Sequence, residues 1–236
     1  MYEVARRVEA PAGARDIRHI AILNDYVRVP YATGSTFAAQ FLHREFSRRG
    51  HDVTLVGPRD PGAQPSDLPE RHVLFPSIHM RSQPGMYLPL PSRSSLEKLA
   101  RSNVDVMVGQ TGSALMEGGV WLRARQRVPL LCVNTTLLSR VYDTLLPESL
   151  SASPAVQRLC SHTIVPAAEQ LNVQTYNQTD GLIVLSEGLE KYWRNLGVTV
   201  PIHVIPRTIN TKVLETSPGP DPYPANAKKG MRVLVL

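Results

Sequence analysis

The residues able to do chemistry fall in short polar stretches, each placed at the end of an apolar run. Thr33-Gly34-Ser35 stands before an amphipathic segment. Backbone N–H groups and the dipole at a helix start favour an anion such as phosphate, and small residues let it approach closely. The same three residues also read as an ordinary loop cap. Gln110 and Thr111 follow one apolar run, Asn134 and Thr135 another. Uncharged amides there suit sugar hydroxyls, or they satisfy their own loops. Ser186 closes a third run. Arg207 follows a fourth, placed to hold a phosphate bidentately or to stand as a surface arginine. The chain has no G-x-S-x-G elbow, no Walker lysine, no H-E-x-x-H, and no G-x-G-x-x-G around Gly34. The lone histidines His43, His51, His79, His162 and His203 read as structural or exposed.

The elements that must position these stretches alternate strand and helix. Arg18 to Leu23 is an apolar run of strand length, and Asn24 to Gly34 breaks it with Pro30 and Gly34. Ser35 is expected as an N-cap. Phe37, Ala38, Phe41, Leu42 and Phe46 then recur at helical spacing as far as Gly50, and Val53, Leu55 and Val56 open a second strand. His72–Phe75 is a short third strand. Pro76 to Pro91 reads as a long loop that covers its own core edge or lines a cleft for an apolar partner. Helices are expected at 94–102, 114–125 and 187–196, and strands at 104–108, 128–133, 181–185 and 201–205. Residues 154–177 read as one long or two broken helices, with Pro166 as the break or kink. This order predicts an α/β fold, Rossmann-like and doubly wound, with a mainly parallel sheet and helices on both faces. All the polar stretches then meet at the carboxyl edge of one sheet.

Composition narrows the class. Two cysteines, Cys132 and Cys160, make neither a disulfide framework nor a zinc pattern, and both read as small buried hydrophobes. The net charge of +6 is scattered, with clusters at Arg6-Arg7, Arg48-Arg49, Arg123/Arg125/Arg127 and Lys228-Lys229. Aromatic residues do not interleave with them, which argues against nucleic acid. The basic bias reads as a solvated surface, with attraction to an anionic membrane surface or phosphorylated substrate as the second reading. No apolar run reaches the ~20 residues that cross a bilayer, so the expected compartment is the cytoplasm, with membrane association at its inner surface left open. Domain boundaries are expected at 1–15 (flexible tail), 16–216 (Rossmann-like domain), 217–230 (linker with four prolines) and 231–236. The last is read as the first strand of a further domain, so the chain is expected to be the first half of a longer protein.

Three stretches together resemble one family. Arg48-Arg49-Gly50-His51-Asp52-Val53-Thr54-Leu55-Val56 is similar to "RRGHEVTVV". Thr179 to Glu187 is similar to "ADGVIVPSE", and Val204 to Leu214 to "VIPRGVDTELF". In order and spacing they resemble the N-terminal half of GT-B-fold retaining glycosyltransferases, the family 4 (group 1) type. The resemblance implies two Rossmann-like domains around a cleft, the first holding the acceptor and the second the nucleotide sugar. It implies metal-independent transfer with retention, no cofactor beyond the nucleotide-sugar substrate, and an isolated fragment without activity. It also implies the site: Thr33, Gly34, Ser35, Gln110, Thr111, Thr135, Ser186 and Arg207 toward the diphosphate and sugars. Asn134 stands at the catalytic position where the family often has histidine ("TFHT"). The first loop has Gly34-Ser35 for the usual Gly-Gly, and Thr208 and Asn210 replace a glycine and an aspartate. A non-catalytic binding protein and a nucleotide-sugar epimerase of the same architecture are the alternative readings.

Overall fold

The computed structural model describes residues 16–25, 34–79, 87–110, 114–135, 137, 150 and 152–206. Strands β1 (His19–Leu23), β2 (Asp52–Pro58) and β3 (His72–Phe75) come first, with helix α1 (Gly34–Arg48) between β1 and β2. A small hairpin, β4 (Ser77–His79) with β5 (Tyr87–Pro89), leads to α2 (Arg93–Ala100) and β6 (Val106–Gly109). Next come α3 (Ala114–Gln126), β7 (Leu130–Asn134), α4 (Pro154–Leu159), a π turn (Cys160–Ile164), α5 (Val165–Tyr176), β8 (Gly181–Val184), α6 (Glu187–Leu196) and β9 (Ile202–Val204).

Seven strands form one sheet in the order β3-β2-β1-β6-β7-β8-β9, and every pairing is parallel. The chain winds outward from β1 to β3, crosses back to set β6 against β1, and winds outward again. This is the doubly wound Rossmann-like arrangement, and the strand order reverses between β1 and β6. Alternation along each strand feeds two cores. Ile20, Ile22, Val53, Leu55, Val106 and Val108 face Ala39, Leu42 and Phe46 of α1. Ala21, Leu23, Val56, Met107, Cys132, Leu182 and Val184 face α2, α3, α5 and α6 through Leu99, Leu115, Met116, Leu122, Val173, Tyr176 and Trp193. Cys132 and Cys160 are both buried and free, and burial pushes the Cys132 thiol up to about 12.

Two aspartates bracket the amino edge of the sheet in the same way. Asp105, just before β6, donates its N–H to the His19 carbonyl, while its carboxylate accepts from the Arg18 and His19 N–H groups. Asp180, just before β8, donates to the Leu130 carbonyl and accepts from the Leu130 N–H, both at 2.8 Å. Asp180 also holds Arg123 through two 2.7 Å bonds. The His19 and Arg18 N–H groups hold the Asp105 carboxyl below its usual range. The Arg123 guanidinium, then the Leu130 N–H, do the same for Asp180. A depressed folded value means that the stabilisation is present above the unfolded pKa near ~3.9 and is lost as pH falls through the folded value. Both groups are solvent-screened, so each contributes under about 1 kcal/mol. The expected urea midpoint falls below about pH 4, and the double variant Asp105→Asn/Asp180→Asn has a flatter acid limb.

Two expectations change here, and a third gains its physical form. Pro76 to Pro91 is not loop throughout. Ile78 pairs with Leu88 across β4 and β5, and both point to solvent, with 57% and 40% exposure. Ser35 is not an N-cap, because α1 already includes Gly34. The expected interruption at Pro166 is present: one α-helix ends at Leu159 and the next begins at Val165. Pro166 sits in the first turn of α5, just after a π turn in which the Val165 N–H reaches back five residues to the Cys160 carbonyl. The wider turn makes room for the proline ring, so helical structure continues from Pro154 to Tyr176.

Candidate functional site at the carboxyl edge

Strands β1, β6, β7 and β8 are neighbours, and their carboxyl ends share one rim. The start of α1, at Gly34, follows β1 there. Gln110, Asn134 and Ser186 stand at or just past the ends of β6, β7 and β8. Thr135 follows Asn134 and is half-buried. The rim thus gathers Gly34, Ser35, Gln110, Asn134, Thr135 and Ser186. Thr33, Thr111 and Arg207 lie outside the described residues.

Gln110 sits at the reversal of strand order, where doubly wound folds bind small ligands. Its N–H donates to the Leu23 carbonyl at 2.8 Å, tying it to the end of β1. Its side chain is buried, and Oε1 has no hydrogen-bond partner. Beside it Asn24 is fully buried, its N–H bonded to the Val56 carbonyl at 2.9 Å. Close packing fixes the end of β6. A Cβ on Gly109 would lie 2.0 Å from Met116 Sδ on α3, so a larger residue there would push that side chain aside.

Asn134, at the end of β7, is buried. Its Oδ1 accepts from Trp193 Nε1 and its Nδ2 donates to Tyr176 Oη, both at 3.1 Å. The indole N–H can only donate, which fixes the orientation of the amide. The Tyr176 and Trp193 rings meet edge to face with centroids 5.0 Å apart, and burial raises the Tyr176 hydroxyl above its ordinary value. The amide joins β7 to α5 and α6 under the rim. Ser186 caps α6, its Oγ accepting from the Leu189 N–H at 3.3 Å. The histidines serve the scaffold where their bonds are seen: His51 Nδ1 donates to the Ile17 carbonyl at 2.9 Å.

Sequence reading misses Tyr176, Trp193 and Glu169. Glu169 is buried on α5, and its Oε1 also lacks a partner. A carboxylate flanked by Val165 and Val173 at spacings of four is the one signal in the sequence that could have found it.

A parallel doubly wound sheet with helices on both faces and polar residues along its carboxyl rim defines a Rossmann-like α/β domain. The sequence model of Glycosyltransferase Family 4 matches residues 33–213, and the chain belongs to that family. No curated protein sequence matches it. Among solved structures, the chain is similar to the sucrose-phosphate synthase of Thermosynechococcus elongatus, at 14% identity over 84% of this chain and 93% of that one, with a TM-score of 0.44. A ugt transferase from Siraitia grosvenorii in complex with UDP aligns at 14% identity over 79% and 50%, with a TM-score of 0.41. An alpha-glucosyltransferase in complex with UDP and a 13-mer DNA aligns at 13% identity over 79% and 42%, with a TM-score of 0.41. The chain therefore spans half or less of the last two. Among the described residues, no helix is long and apolar enough to cross a membrane.

Proposed function

We propose that this chain is the acceptor-side domain of a retaining glycosyltransferase, moving a sugar from a nucleotide-sugar donor to an acceptor. The observation that carries this is Gln110: a buried amide at the strand-order reversal, beside the start of α1, with an acceptor atom left unpaired. An unpaired buried polar atom is unfavourable unless a ligand completes it. The departing nucleoside diphosphate gains negative charge, and the N-terminus of α1 offers N–H groups and a dipole to receive it. Gln110 takes a hydrogen bond from a substrate hydroxyl. Asn134 acts as a positioning residue through Tyr176 and Trp193. In this reading a second domain carries the donor, domain closure aligns and dries the site, and neither metal nor cofactor enters. The cytoplasm is the proposed compartment, with weak attraction to anionic membrane surface.

The test supplies the full-length protein with nucleotide sugars and hydroxylated acceptors. Release of nucleoside diphosphate together with a glycoside of retained anomeric configuration is the expected result. An epimerised nucleotide sugar without glycoside would contradict it. A second reading, a binding protein without catalysis, is favoured by one observation. The amide where the family often has histidine carries no titratable proton and is bonded inward. Tight nucleotide-sugar binding with no turnover selects that reading.

A further inference from the structure

The helix that carries Glu169 has two candidate inward stripes, and the π turn chooses between them. Counting in α-helical steps from buried Cys160, the residues that should face the core are Ile164, Ala167 and Leu171, an apolar set. The structure does the opposite. Ile164 and Leu171 are 50% and 62% exposed. Val165, Glu169, Val173 and Tyr176 are buried instead. The extra residue in the π turn rotates the whole of α5 by about one residue's turn, ~100°. That rotation carries Glu169 from the solvent side to the inside. Ile164 and Leu171 are left exposed, and Glu169 is buried together with Val165, Val173 and Tyr176. Burial of a carboxylate oxygen without a hydrogen-bond partner is the unfavourable part of this arrangement.

The location is at the rim. Tyr176 Oη meets Asn134 at the end of β7. Glu169 lies seven residues earlier on α5, about 10 Å further along the helix axis. That helix leads into the amino end of β8, so its earlier residues extend past the carboxyl ends of the strands. Glu169 Oε1 and Gln110 Oε1 are both buried acceptors without partners. Each of the two oxygens would be completed by a hydrogen-bond donor.

We infer that Glu169 binds the acceptor substrate, accepting a hydrogen bond from a hydroxyl or amino group of a neutral or cationic sugar-like acceptor, and that it rejects anionic ones. The inference rests on the acceptor-side reading proposed above. The test uses three probes with one skeleton: glucosamine, glucose and glucuronate, titrated calorimetrically into the full-length protein. In the wild type, affinity falls in that order, with on the order of tenfold between first and last. In Glu169→Gln, which keeps the shape of the side chain, the three affinities converge to within about threefold. Glu169→Leu, which also removes the unpaired oxygen, raises the thermal midpoint by a few degrees, ~2–4 °C. An unchanged order in Glu169→Gln, absence of binding by the wild type, or a lowered midpoint in Glu169→Leu overturns the inference. A flat order with sugar transfer intact removes the role of Glu169 alone. An intact order without transfer removes the enzymatic reading alone.

Discussion

Asn134→Ala lowers the unfolding free energy of the domain by about 3 kcal/mol, the largest expected stability loss at the rim. The Trp193 N–H loses its acceptor at 3.1 Å, and a buried donor left unpaired is unfavourable by ~1–3 kcal/mol. Removing the amide also leaves a gap against Tyr176 and Trp193, both 2% exposed or less, which adds about 1 kcal/mol. Against a total of ~5–15 kcal/mol this is a large fraction. Urea unfolding monitored by tryptophan fluorescence measures it. In a double variant with Trp193→Phe, where no indole N–H remains, the effects are less than additive. A loss below about 1 kcal/mol, or strict additivity, would show that the amide is not the joint described.

Gln110→Met has the opposite signature. Methionine keeps the length of the side chain and removes the unpaired acceptor. The thermal midpoint is expected to rise by ~2–4 °C while kcat/KM for glycosyl transfer falls on the order of 10- to 100-fold. A gain in one quantity with loss of the other separates a ligand-binding amide from one that merely lines the core. If kcat/KM stays within about threefold of wild type, the site has been placed on the wrong side chain.

The parallel sheet is legible in the sequence because its strands are short apolar runs closed by turn residues. Helix α6 is legible to the residue, since Ser186 caps it and Gly197 ends it with φ of 107°. The elements that escape leave no periodic trace. β4 and β5 are three residues each, too short to show alternation, and one contains Pro89. Pro166 marks the interruption by its usual effect on a helix, whereas the π turn before it does not show. At the site, the polar ends of β6, β7 and β8 are visible as residue types, but not the direction of their side chains. Asn134 and Gln110 are both amides at strand ends. One is bonded to aromatic rings more than forty residues later in the chain, and the other is unpaired. Only the packing of α5 and α6 distinguishes them.

The meeting of β1 with β6 governs how this chain acquires its structure. The contact between His19 and Asp105 closes a loop 86 residues long, and the sheet cannot be continuous until it closes. Such distant pairing is slow, because chain entropy is lost before contacts reward it. During synthesis β1, α1, β2 and β3 emerge first and can assemble on one another. The strands from β6 onward then dock against an edge already formed. The seam that joins the two halves at Leu23 and Gln110 thus forms only once β6 has emerged, and β7, β8 and β9 extend the sheet from it in turn.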